Sequence, residues 1–288
     1  MPTDEKTPGL PVVVSPEWLM HHRGEVLVAD VRWYLDGRSG YAAYLAGHLP
    51  GAVFADLDTD LAAPATEAGG RHPLPEPADF AASLGSLGIG DGTPVVAYDD
   101  SGGSTAARLV WMLRTLGSPA AVLDGGIDAW PGALETGRVE PEPRERTPVP
   151  WPAERVADTS AVRTATGDPD RLLVDARAHE RYTGAEPAAV DARPGHIPGA
   201  RSAAWTGNLT EDGRFAAPDR LRERFASLGA DSAETITAYC GSGVTACHNL
   251  LALEHAGYTR TRLYPGSWSA WGADAGLPAE TGEDGRPA

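Results

Sequence analysis

The sequence predicts an α/β protein of two similar domains, each with a mostly parallel central sheet flanked by helices. Three observations carry this: the chain is written twice, its apolar runs are short and strand-like, and a proline-rich connector parts the copies. Asp30-Val31-Arg32 recurs as Asp175-Ala176-Arg177, and Gly47 to Ala52 (GHLPGA) as Gly195 to Ala200 (GHIPGA). Pro94 to Tyr98 matches Thr235 to Tyr239, and Gly125 to Trp130 matches Gly266 to Trp271. Chance is a weak explanation for four ordered matches at offsets of 145, 148, 141 and 141 residues. Such self-similarity marks a repeated structural unit.

The elements follow in order. Val26–Ala29 and Val95–Tyr98 are short β-rich runs suited to central parallel strands. Ser104–Leu116 is long enough for a helix, with Ala106, Leu109, Val110 and Leu113 on one side. Between the strands, Leu61 to Glu76 carries Gly69-Gly70 and three prolines and reads as a surface excursion. The second copy repeats the pattern with strands at Leu172–Val174 and Ile236–Tyr239 and a helix from Val244 to His255. Five prolines among charged residues make 141–155 an extended, stiff linker, because proline lacks the backbone donor and limits helical continuation. The domains are therefore 1–140 and 156–288.

Composition narrows the function. The 288 residues, 42% of them hydrophobic, suffice for two medium cores, and a fully disordered chain is a poor fit. A formal net charge of −16 argues against nucleic acid or an anionic membrane as partner, while leaving room for a small local anion site. Met1 to Pro11 is polar and acidic, and no window approaches the ~20 apolar residues of a membrane span; a soluble, cytoplasmic chain is expected. Two cysteines, Cys240 and Cys247, make neither a disulfide framework nor a metal quartet.

Cys240 closes a predicted strand and precedes Gly241-Ser242-Gly243-Val244-Thr245-Ala246, where a helix begins. Backbone N–H groups at such a junction converge on the sulfur, and the helix dipole favours a thiolate. The position aligned in the first copy is Asp99, an exchange that packing alone does not explain. It suggests one exposed loop per domain, chemically competent only in the second. A cysteine phosphatase would need an arginine six residues after the nucleophile, but residue 246 is Ala, so a sulfur-donating substrate fits better than a phosphate ester.

With these residues in view, the chain resembles the tandem rhodanese-like sulfurtransferases, specifically the 3-mercaptopyruvate branch, from about Val14 through Trp271. The resemblance implies two rhodanese-like domains, the first inactive, with the site near their interface. It implies that Cys240 takes sulfur from a small donor bearing a carboxylate or sulfonate, forms a persulfide, and passes it to a thiol, cyanide or a thioredoxin-like acceptor. It calls for no cofactor and no metal. Arg181 matches the residue that binds the donor's acid group. The second such arginine can only be Arg193 within Gly184 to Gly195, in a shifted register. Gly241, Gly243, Val244 and Thr245 frame the donor site, and Ser242 supplies a loop hydroxyl near the sulfur.

A proton relay to Ser242 through His48 and Asp36 is suggested by the same resemblance. The repetition of His48 as His196 favours a fold role instead, and Asp36 reads more readily as a solvent-exposed residue. Asp30 with Arg32, and Asp175 with Arg177, read as duplicated loop-ordering pairs. Trp130 and Trp271 are expected to pack, while Trp268 either shapes the cleft or fills the core. Cys247, about 10 Å along the helix from Cys240, reads as a buried, inert thiol rather than a resolving partner. The glycines and serine after Cys240 replace the charged residues of thiosulfate-specialised relatives, which favours 3-mercaptopyruvate as donor. A thiosulfate:cyanide sulfurtransferase and a non-catalytic sulfur-relay or binding module are the alternatives.

Overall fold

The computed structural model describes residues 10–283 and a final strand at 286–287. In the first half, β1 (Val13–Val14), β2 (Leu27–Asp30), β3 (Val53–Phe54), β4 (Val95–Tyr98) and β5 (Ala120–Leu123) form a parallel sheet in the order β1-β5-β4-β2-β3. Helices α1 (Pro16–His22), α2 (Gly40–Ala46), α3 (Pro77–Ser86) and α4 (Ala106–Thr115) flank it. The first helix starts where the sequence supplies both a cap and a rigid N1 residue: Ser15 accepts the Trp18 N–H at 3.1 Å, and Pro16 follows.

The second half holds α5 (Thr159–Ala165), β6 (Arg171–Asp175), α6 (His179–Thr183), β7 (Arg201–Ser202), α7 (Pro218–Ser227), β8 (Thr235–Tyr239), α8 (Thr245–His255), β9 (Thr261–Leu263) and α9 (Ser267–Trp271). Its four strands run parallel in the order β7-β6-β8-β9, and β10 (Glu280–Thr281) pairs antiparallel with β11 (Arg286–Pro287). Residues 141–155 contain no helix or strand. They lie along α3, with the Arg144 N–H on Gly85 O at 2.9 Å and Trp151 Nε1 on Pro75 O at 2.8 Å.

Strand alternation decides which side chains meet at the centre. In β4, Val95 and Ala97 enter a core shared by both domains, while Val96 and Tyr98 face an outer core with Leu19 and Leu49. In β8, Ile236 and Ala238 belong to the shared core and Tyr239 to a separate outer core with Trp268 and Trp271. Helices α4 and α8 pack between the two sheets, where Leu109 and Leu113 join one apolar cluster with Leu250, Leu251 and Leu253. Every residue of α4 from Ala106 to Leu113 is buried, including Arg108.

The duplicated polar pairs serve the fold. Arg32 donates to Asp30 and to Gly47 O at 2.6 Å; Arg177 donates to Asp175 and to Gly195 O at 2.7 Å. Each arginine thus ties the end of a central strand, β2 or β6, to its domain's GHxPGA turn, which a buried carboxylate alone could not do.

Candidate active site

Between β8 and α8 the chain turns sharply through 240–244. Alternation continues for one more residue, so Cys240 sits on the shared-core face with Ile236 and Ala238. It is 2% exposed, less than an open loop would give, and it lines a cavity of about 470 Å³ between the domains. Trp33, Leu35, Arg71, Arg181 and Ser242 line the same cavity. The Gly243 N–H donates to Cys240 Sγ at 3.1 Å. Gly243 has φ +78°, and a methyl group there would meet Pro265 O at 2.9 Å; the turn requires glycine.

The start of α9 fixes the turn from behind. The N–H groups of Trp268 and Ser269 donate to the carbonyls of Cys240 and Gly241 at 2.9 and 2.8 Å. Ser267, with φ 50°, accepts the Cys240 N–H at 3.2 Å. Cys247 is fully buried, donates to Gly243 O at 3.3 Å, and its thiol is pushed up to about 12 by burial; it is inert in the neutral range.

Asp99 occupies the corresponding turn of the first domain, but in a buried loop rather than an exposed one. Its Oδ1 accepts the N–H groups of Ser101 and Gly103 at 2.9 and 2.8 Å, and its Oδ2 those of Thr105 and Ala106 at 2.8 and 2.9 Å. A carboxylate is satisfied by four such donors. The first turn is thus an anion cradle already filled by its own side chain.

Ser242 Oγ lies 2.7 Å from His72 Nδ1, and His72 Nε2 lies 3.1 Å from Asp58 Oδ1. Burial, helped by the nearby Arg108 guanidinium, lowers His72 to about 4, so the ring is neutral at pH 7. With its single N–H directed at the Asp58 carboxylate, Nδ1 accepts the Ser242 hydroxyl proton. The Asp-His-Ser chain therefore runs through Asp58 and His72, not through Asp36 and His48. His48 Nδ1 is held by Tyr44 O at 2.9 Å with its ring stacked on Tyr44, as His196 is held by Tyr182 O at 2.8 Å. Asp36 does line the cavity rim, but it is exposed and pairs with Arg38.

His72 arrives on the 61–76 segment, which is no surface excursion. Gly70, with φ +77°, presses so close to α9 that a methyl group would meet Gly266 O at 2.6 Å, and the Arg71 N–H donates to Ser269 Oγ at 3.1 Å. The segment docks on the second domain, bringing Arg71 to the cavity and His72 to Ser242. Its paired glycines were the available signal; the docking partner, nearly 200 residues away, was not legible locally.

The two expected donor arginines part company. Arg181 lines the cavity and is held by Asp191 through Nε at 2.9 Å and Nη2 at 2.6 Å. Arg193 turns away: its Nη2 donates to the carbonyls of Trp271, Asp274 and Leu277, closing the C-terminal end of α9. Val244 and Thr245 line the cavity with Gly241. Trp268 is fully buried under Arg177, so it fills the core. Arg108 went unread in the sequence, although a lone charge within the apolar run Ala106–Leu113 was its signal. Fully buried, it donates to Gly243 O at 2.9 Å, His72 O at 3.1 Å and Leu61 O at 3.2 Å.

Among the described residues, no helix is long and apolar enough to cross a membrane, and no group of three or more His, Cys, Asp or Glu is placed to hold a metal ion.

Comparison with known proteins agrees with this architecture. The family model described as "Rhodanese-like domain" matches twice, at residues 15–133 and 158–274. A Pseudomonas aeruginosa protein described as "Probable 3-mercaptopyruvate sulfurtransferase" is 44% identical over 267 residues, covering 90% of this chain and 93% of its own. The thiosulfate sulfurtransferase of Bos taurus is 37% identical over 280 residues, covering 90% and 91%. The solved 3-mercaptopyruvate sulfurtransferase of Leishmania major superposes with a TM-score of 0.78 at 33% identity, covering 92% of this chain and 74% of that one. With both halves matched and the fold shared across nearly its whole length, the chain belongs to the rhodanese-like domain family, as a tandem pair of such domains.

Proposed function

We propose that this protein is a sulfurtransferase that moves sulfane sulfur from 3-mercaptopyruvate through a Cys240 persulfide to a small thiol, cyanide or a thioredoxin-like acceptor. The observation that carries this reading is the placement of the Cys240 sulfur at a cavity wall, beside a backbone N–H donor and the Ser242–His72–Asp58 chain. The thiolate attacks the donor sulfur, and the carbon–sulfur bond breaks with its electrons moving to carbon as the enolate of pyruvate. Protonation of that carbon completes pyruvate. The proton is the one that the donor's own S–H gives up as the transferred sulfur ionises, and Ser242, hydrogen-bonded to neutral His72, is placed to carry it to that carbon. An acceptor thiolate then attacks the outer persulfide sulfur and releases Cys240 as thiolate.

Thiosulfate is the second reading, favoured by one specific observation. Both Arg71 and Arg181 stand beside Gly241, and paired guanidinium groups suit a dianion. The uncharged turn Gly241-Ser242-Gly243 and the relay beside it favour mercaptopyruvate, whose leaving carbon needs a proton where sulfite does not. Relative kcat/KM for the two donors, with Cys240→Ser as the blank, decides between them. A higher value for mercaptopyruvate supports the proposal, and a thiosulfate preference overturns its donor assignment. A merely binding or relay module would turn over neither.

A further inference from the structure

Asp58 is the open end of the Ser242–His72–Asp58 chain, with its side chain 56% exposed. Its backbone N–H donates to Asp56 at 2.8 Å, but its carboxylate has just two partners among the described residues. His72 Nε2 meets Oδ1 at 3.1 Å, and the indole N–H of Trp33 donates to Oδ2 at 2.9 Å. Trp33 also stands perpendicular to the His72 ring, with centroids 5.5 Å apart, and lines the cavity with Cys240. Its backbone is held firmly. The preceding Arg32 is locked on Asp30 through both its N–H and its guanidinium, and Gly40 packs so closely on the Arg32 carbonyl that a methyl group there would collide with it. The repeat separates this arrangement from the needs of the fold. The Asp-x-Arg pair recurs in the second domain, yet the residue after it is Ala178, and the position aligned with Asp58 through the paired edge strands β3 and β7 is Thr206. A domain of this kind is thus built with neither the indole nor the carboxylate at these two places.

We propose that Trp33 is a positioning residue of the relay: its indole N–H keeps the Asp58 carboxylate on His72, which fixes the imidazole proton on Nε2 and leaves Nδ1 to accept from Ser242. Without that anchor the exposed carboxylate gains rotamers, and water competes for it. The imidazole proton then also populates Nδ1, where it donates to Ser242 Oγ. That reverses the hydrogen bond and closes the route by which the hydroxyl proton moves onto the ring. The service of Trp33 to turnover rests on the sulfur-transfer reading; its hold on the tautomer does not.

The test reads the tautomer directly by NMR, on the full chain with isotopically labelled histidine ring nitrogens and with the His72 signals identified by their loss in His72→Gln. In the parent protein Nε2 should carry the proton. Trp33→Phe keeps an aromatic ring and removes the N–H, so the ratio of the Nε2–H to the Nδ1–H form is expected to fall about fivefold, the weight of one hydrogen bond. In the same variant kcat for 3-mercaptopyruvate should also fall about fivefold, with KM and the turnover of thiosulfate little changed. In an Asp58→Ala background the Trp33 substitution should cost nothing further. Trp33→Leu serves if the Phe variant fails to fold. An unchanged tautomer ratio, losses that add to those of Asp58→Ala, or a rise in KM for both donors at unchanged kcat overturns the assignment. If 3-mercaptopyruvate never loads sulfur on Cys240, the sulfur-transfer reading fails while the ring-nitrogen shifts still report on Trp33.

Discussion

Arg108 of the first domain donates to the carbonyl of Gly243 in the second at 2.9 Å, and the Gly243 N–H in turn donates to Cys240 Sγ at 3.1 Å. The contact has a mirror across the interface: His248 Nε2 of α8 meets the carbonyl of Gly102, the residue aligned with Gly243 in the first domain, at 3.1 Å. Each domain's central helix therefore holds the other domain's turn. The reciprocal arrangement is unequal in charge, because Arg108 is a fully buried cation solvated by carbonyls, whereas burial lowers His248 to about 4 and keeps it neutral.

This makes Arg108 a positioning residue for the nucleophile. Arg108→Met removes a buried cation near the thiol together with its carbonyl contacts. The rate of iodoacetamide alkylation of Cys240 at pH 7 should fall about tenfold. Stability should fall by about 2–4 kcal/mol. Arg108→Lys should restore most of the rate but not the stability, since one ammonium cannot span the separated carbonyls. An unchanged rate in the Met variant would show that the guanidinium acts on stability alone.

The relay predicts a donor-dependent defect. In Ser242→Ala and His72→Gln, kcat with 3-mercaptopyruvate should drop about 10²-fold, the usual scale for a lost proton-transfer group. Turnover of thiosulfate should drop far less, because sulfite departs without needing a proton on carbon. Steady-state rates on both donors check this, and equal losses on the two would remove proton transfer as the role of Ser242.

Gly243→Ala places a methyl group 2.9 Å from Pro265 O at a residue with φ +78°. Strain there should cost about 1–3 kcal/mol and displace the N–H from the sulfur. Thermal unfolding should shift down by several degrees, with slower alkylation of Cys240. A variant that melts and reacts like the parent protein would contradict the tight-turn geometry.

Two buried imidazoles set an acid limit. His72 and His248 each fall to about 4 from an ordinary 6.5, through burial first. The unfolded chain then binds protons more readily than the folded one, so stability rises with pH across roughly pH 4 to 6.5 and is fully present above it. Each ring contributes on the order of 3 kcal/mol over that window. Denaturant midpoints at pH 7, 6 and 5 should decline progressively, and His248→Gln should flatten the slope. A flat profile in the parent protein would mean the rings are not buried as neutral species.

The fold was legible because its signals are local. Val95–Tyr98 and the helix after Ser104 announce themselves by composition and period, and the 141-residue offset pairs Asp99 with Cys240 and Gly102 with Gly243. The two-residue edge strands β3 and β7 left no such trace; they pair through neighbours rather than through their own pattern. Cys240, Ser242 and Arg181 lie on the active half's own turn and helix and could be found there. Asp58, Arg71, His72 and Arg108 come from the other half, with His72 separated from Ser242 by 170 residues. Contacts made by docking one domain on another leave no spacing in the chain. The sequence instead drew the relay histidine and second arginine from the duplicated turn and the nearby loop, where His48 and Arg193 serve the fold.

The central claim is that the Cys240 thiolate accepts and holds a transferable sulfur atom. Intact-mass spectrometry after exposure to 3-mercaptopyruvate tests it most directly. The account predicts a gain of about 32 Da, one sulfur, confined to the peptide carrying Cys240, absent in Cys240→Ser and discharged by added thiol. Donor consumption without that adduct, or an adduct that persists in Cys240→Ser, would contradict it.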